Sequence, residues 1–211
     1  MASVSFMSKN RLEALTDGIF ATVMTVLVLS LSVPVITQVS QISSYIDNLA
    51  PIVYGYILSF LILAVFWIRH HSVFHFISRV DGSFLWLNLV FLLTIGFIPF
   101  STELMGRFPL VQETVMIYGA NLLATGLCLQ ALWRYALRWK LIVSDGLDQR
   151  TMATINRRLT GGPLLYLIAI ALSFVDPLIS VIIYGGILVF YILVSSLNLQ
   201  FRREVSSKSL R

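Results

Sequence analysis

Charge is scarce in this sequence. Only 12% of its 211 residues are Asp, Glu, Lys or Arg, about half the share of a soluble domain. Acids are the scarcer sign, 10 against 15 basic residues, while 57% of the chain is hydrophobic. A chain so composed belongs in a bilayer. There is one cysteine, Cys128, so no disulfide framework forms within the chain. The Cys/His spacing of a zinc site is missing, as are a phosphate-cradling glycine loop, a nucleophile elbow and a pair of carboxylates inside an apolar run. These absences argue against an enzyme and against a bound cofactor. Strict alternation of apolar and polar residues is also missing, which excludes a β-barrel. The Thr-Val-Gly-Tyr-Gly filter of ordinary potassium channels does not occur either.

Long apolar runs are what the chain does have, enough for six membrane-spanning helices. Their expected bounds are about 9–34, 46–76, 81–102, 111–140, 148–175 and 177–201, in one all-α domain covering 1–211. Gly161, Gly162 and Pro163 interrupt the fifth. The first is expected to be a retained helix rather than a leader, because Glu13 and Asp17 lie in its approach and no small-residue cleavage site follows Pro34. Ser144-Asp145-Gly146 marks a turn in the longest connection, and the basic tail 202–211 is expected to be disordered. The basic residues fall on one side. Lys9, Arg11, Arg69, Arg79, Arg134, Arg138, Lys140, Arg150, Arg157, Arg158, Arg202, Arg203, Lys208 and Arg211 share it, and Arg107 alone lies opposite. Such a bias places both termini in the cytoplasm, in a multi-pass protein of the inner (plasma) membrane. It also accounts for the net charge of +5 without a nucleic-acid partner.

The first helix carries polar groups in a pattern. At 100° per residue Gly18, Thr22, Thr25, Leu29 and Ser32 share one face, and Phe20, Val23, Leu27 and Leu31 lie opposite. Two uses fit a stripe of small hydroxylated residues. The hydroxyls can bond back to carbonyls one turn earlier and let helices pack closely, which is the commoner case. Alternatively, the stripe can line a pore in a symmetric assembly. A second group gathers at the basic ends of the first three helices: Arg11, Asp17, Trp67, His70, His71 and Asn88. Near-membrane charges pair and face inward, so these residues are expected to knit the three helices together. His71 and His75 have the i, i+4 spacing of a metal pair, but no third ligand is evident, and a hydrogen-bonding role is expected instead.

Taken together, these segments resemble the transmembrane protein 175 family, lysosomal channels with prokaryotic relatives. Arg11 followed by Leu15-Thr16-Asp17 stands where the family has an arginine, three variable residues and Phe-Ser-Asp. Phe66-Trp67-Ile68-Arg69-His70-His71 looks like its Trp/His segment. Asp81 to Phe100, with Asn88 and Ile98-Pro99-Phe100, looks like its third helix. Beyond that the likeness rests on size and topology. The resemblance implies a potassium-preferring cation channel, a homotetramer of six-helix chains in the lipid bilayer, with the first helix of each subunit around the pore and monovalent cations as its cargo. The pore and selectivity positions it implies are Thr22, Thr25, Leu29 and Ser32. At Thr22 the family more often has a bulky aliphatic residue, so a wetter constriction is implied here, with Leu29 as the remaining hydrophobic gate. A proton-permeable or weakly selective leak, or a secondary transporter, is the alternative function.

Overall fold

A computed structural model of the chain describes residues 8–31, 40–47, 49–142 and 149–208. Among these residues the regular structure is helical: α1 Lys9–Val26, continued by a 3-10 turn Leu27–Leu31, then α2 Ser40–Asp47, α3 Leu49–His75, α4 Gly82–Gly96, α5 Ile98–Arg107, α6 Gln112–Arg138, α7 Gln149–Leu172 and α8 Pro177–Lys208. Four segments are long and apolar enough to cross a bilayer: Lys9–Leu31, Leu49–His75, Gly82–Arg107 and Gln112–Arg138. Pro177–Tyr191 is apolar but shorter. α7 has 24 residues, ample length at about 1.5 Å each, but its first three turns carry Arg150, Asn156, Arg157 and Arg158.

The third expected helix is two helices. Pro99, near the start of α5, has no N–H to offer the carbonyl four residues back. The run therefore breaks at Phe97, whose own amide still reaches Leu93 O at 3.2 Å. Pro163 behaves differently. It sits inside α7 without ending it, and its ring packs on α6 where residue 126 is glycine: a Cβ on Gly126 would lie 3.0 Å from Pro163 Cγ. Gly119 similarly makes room on α6 for the Tyr184 hydroxyl of α8. α6 is the hub, packing on α4, α5, α7 and α8. Its Tyr118, Leu122, Leu132 and Trp133 are wholly buried.

Connections follow local chemistry. Asp81 caps α4, its Oδ1 accepting from Phe84 N at 2.8 Å, and its Oδ2 accepts from Tyr135 Oη at 3.0 Å. α6 ends with Lys140 at φ 52°, a left-handed residue after the last turn, and Leu141 N closes back onto Ala136 O at 2.9 Å. The segment 140–142 then pairs with the end of α3, where Ser78 N reaches Leu141 O at 2.8 Å. The Ser144-Asp145-Gly146 turn lies outside the described residues. The tail differs from expectation: α8 runs on to Lys208, since no glycine or proline after Gly186 interrupts it.

Candidate functional site

α1 has two unlike faces. Leu12, Thr16, Phe20, Val23, Leu27 and Ser30 are buried; α1 packs on α3 and α4, and the 3-10 turn on α3 and α5. Phe20 lies 6.1 Å from Phe91 of α4, centroid to centroid. The other face, with Gly18, Thr22, Thr25 and Leu29, is exposed in the single chain, and Leu29 is 68% so. Ser32, the last residue of the expected stripe, lies outside the described residues.

The two threonines have fixed hydroxyls. Thr22 Oγ1 donates to Gly18 O at 2.8 Å and Thr25 Oγ1 donates to Thr22 O at 2.7 Å. Both are the back-bonds of a threonine in a helix. Each occupies the hydroxyl proton and leaves oxygen lone pairs, which can accept from water or face a cation. Close packing within the chain does not explain the stripe. A Cβ on Gly18 would meet nothing within 4 Å, so among the described residues no helix of the same chain rests on it. At the C-terminal end the 3-10 turn brings Val28 and Leu29 to the surface together, 48% and 68% exposed. It rotates each residue by about 120° instead of 100°. There Val26, Leu29, Gly96, Phe100 and Glu103 border a crevice of about 500 Å³ at the α4–α5 break.

The N-terminal end of α1 is held by two separate sets of bonds. In the buried set, Asn88 Nδ2 donates to Thr16 Oγ1 at 3.1 Å and Asn88 Oδ1 lies 2.9 Å from His70 Nε2. Because the Asn88 nitrogen donates to Thr16, its oxygen is the acceptor, and His70 carries its proton on Nε2. The His70 ring is stacked between Phe74 at 4.1 Å and Phe91 at 5.3 Å. In the exposed set, Trp67 Nε1 donates to Asp17 Oδ1 at 2.8 Å, and His71 stacks on Trp67 at 5.9 Å. Arg11 is exposed and joins neither. The one ion pair among the described residues is Arg107–Glu103, at 2.8 Å. Asp17 therefore meets an indole rather than Arg11 or a histidine: Arg11, six residues earlier, lies about 120° around the helix from Asp17, while α3 brings Trp67 within reach.

Sequence reasoning overlooked Thr16, although it stands in the Leu15-Thr16-Asp17 motif; its position on the buried face was the available signal. It also overlooked a hydroxyl chain between α3, α5 and α6, in which Thr102 Oγ1 donates to Ser59 Oγ at 2.7 Å and Ser59 Oγ lies 2.8 Å from Tyr118 Oη. Arg69 is a third case: its guanidinium lies 3.8 Å from the centroid of Tyr191.

Comparison with known proteins places these features in context. The family model described as endosomal/lysosomal potassium channel TMEM175 matches residues 11–99, which take in α1, both sets of bonds and the α4–α5 break. A potassium channel of Chamaesiphon minutus is 32% identical over 177 residues, spanning 81% of this chain and 87% of that one. The human endosomal/lysosomal proton channel TMEM175 is 25% identical over 189 residues, 86% of this chain but 38% of that longer protein. Among solved structures, the crystal structure of a lysosomal potassium-selective channel TMEM175 homolog from Chamaesiphon minutus superposes with a TM-score of 0.75 at 27% identity, covering 89% of this chain and 97% of that one.

Proposed function

The chain belongs to the TMEM175 family, and from that premise we propose that it is a potassium-preferring cation channel of the inner (plasma) membrane that conducts passively and catalyses nothing. Four copies surround one axis, each contributing α1. Six segments of each copy cross the bilayer, with both termini in the cytoplasm. The observation that carries this reading is the unlikeness of the two faces of α1: an exposed stripe of small and hydroxylated residues opposite a face buried in the chain. Lipid has no use for a hydroxyl stripe, and the chain itself does not cover it.

In this arrangement four Thr25 oxygens, with four from Thr22 one turn earlier, form rings that partly replace the hydration shell of a passing ion. Potassium sheds its water more readily than sodium, so such rings favour it. Four Leu29 side chains form a dewetting constriction beyond them, with Ser32 at the outer mouth. No acid lies on the stripe between Gly18 and Leu29. Cations are drawn instead by the carbonyl end of α1 and by Asp17 at the opposite mouth. The Thr16–Asn88–His70 and Asp17–Trp67 bonds hold α1 upright against α3 and α4. A coupled transporter would need ionisable groups at the membrane midplane, and the spans offer few.

Cation flux into liposomes tests the reading, comparing potassium, sodium, protons and a large organic cation. Potassium-preferring flux that excludes the organic cation and does not saturate supports a selective pore. Proton flux exceeding potassium flux would favour the activity named for the human relative. Saturation at low turnover would replace the channel with a carrier. Under bi-ionic potassium/sodium conditions Thr25→Ala shifts the reversal potential towards zero selectivity; an unchanged potential removes Thr25 from the filter.

A further inference from the structure

Arg69 sits six residues before the end of α3, within a membrane-spanning segment. A cation there is costly unless something answers its charge. Its contacts are a π-face and a carbonyl: the guanidinium lies over Tyr191 of α8 at 3.8 Å, and Nη2 donates to Arg158 O of α7 at 3.0 Å. α7 allows this approach because residue 162 is glycine. A Cβ there would lie 3.0 Å from Tyr191 Oη and 3.3 Å from Arg69 Nη1. Arg158 is one turn from Gly162 on the same helix face and is itself exposed. The Arg69 guanidinium thus meets the backbone of a second, exposed arginine where three helices join, and no carboxylate pairs with either arginine among the described residues.

We propose that this junction of α3, α7 and α8 is a docking site for the headgroup phosphate of an anionic phospholipid. Guanidinium has five N–H donors, and the one observed carbonyl takes one of them. The planar fork that remains suits two oxygens of one phosphate. Stacking on Tyr191 holds the fork in place before any ligand arrives. Beyond the arginines, α7 and α8 continue with Leu164, Leu167, Ile168 and Phe190 exposed, a surface for acyl chains rather than for a soluble anion. In the orientation proposed above, on which this inference rests, the site faces the cytoplasmic leaflet, where basic pockets between helices hold anionic headgroups. Arg69 adjoins His70 and lies two residues after Trp67; Trp67 bonds α1 directly, and His70 does so through Asn88 of α4. A bound lipid therefore steadies the segment that positions the pore helix.

Native mass spectrometry of the purified assembly tests the site directly, with phosphatidylglycerol and phosphatidylcholine offered in equal amounts. Phosphatidylglycerol is expected to be retained in preference, and Arg69→Gln and Arg158→Gln each to weaken its retention about fivefold. Arg138→Gln, the same loss of charge on the exposed last turn of α6, leaves it unchanged. Should Arg69→Gln fail to assemble, the exposed Arg158 carries the test. Equal retention of the two lipids, equal weakening by Arg138→Gln, or displacement by millimolar glycerol phosphate would overturn the assignment. Binding is read without ion flux, so a protein that binds the lipid but passes no cation refutes the channel and leaves this site standing.

Discussion

At its N-terminal end α1 is fastened twice, by Thr16 to the buried Asn88–His70 pair and by Asp17 to the Trp67 indole. At its C-terminal end it tightens into a 3-10 turn beside a crevice, where Ser30 bonds only to its own Leu27 carbonyl at 2.8 Å. The same helix thus has one end bonded through side chains to two neighbours and one that packs on α3 and α5 with no side-chain bond to another helix among the described residues. Rigidity sits where cations would meet the charged motif, and freedom sits at the proposed Leu29 gate. A gate that has to move is better placed where few polar bonds must break, since local opening begins where such bonds are sparse.

This contrast can be broken most directly at the fastened end. Asn88→Ala leaves the His70 N–H and the Thr16 hydroxyl buried without their partner, at a cost of about 2 kcal/mol. A lowered thermal midpoint and reduced tetramer recovery on size exclusion are the expected outcome; recovery at the wild-type level would mean that Asn88 does not tie α1 to α3. Next comes the loose end. Leu29→Ala removes an exposed side chain, so stability should hold while potassium flux in liposomes rises, as a dewetting ring widens. Equal flux would move the constriction to another layer. Trp67→Phe takes one hydrogen bond from Asp17 at the fastened end, worth about 0.6 kcal/mol between helices in a membrane. It should lower the midpoint less than Asn88→Ala does, and a larger drop would make the exposed set the principal tie. As a control outside α1, Lys140→Gly relieves a left-handed residue at the end of α6 and should raise the midpoint, by a gain of about 1 kcal/mol in stability. It should change neither flux nor selectivity.

Much of this arrangement was legible in the residues. The starts of the first four membrane segments, the cap at Asp81 and the grouping of Trp67, His70 and Asn88 around α1 follow from apolar run length, turn chemistry and the placement of polar groups at helix ends. The stripe of Gly18, Thr22, Thr25 and Leu29 followed from the 3.6-residue period. The break at Phe97 was less legible than Pro99 makes it look in hindsight, because Pro163 lies inside an unbroken helix. Which proline ends a helix is not written in the proline itself; Pro163 stays inside α7, with its ring packed against Gly126 of α6. Which member of the group Asp17 meets was less legible, for a related reason. Charge alone favours Arg11, whereas the bond made is to the donor that a second helix brings within 2.8 Å.

Sequence by itself determined that this chain is a helical membrane protein of the TMEM175 family, because composition, run length and a spaced motif are properties of order along the chain. Only the tertiary structure decided that Thr16 rather than Arg11 joins the buried bonds, and that Arg69 lies over Tyr191 beside Arg158. It also decided that the hydroxyl face of α1 is left uncovered by the described residues of its own chain. These depend on distances between residues tens of positions apart, such as the 72 between Thr16 and Asn88, and packing of whole helices sets such distances.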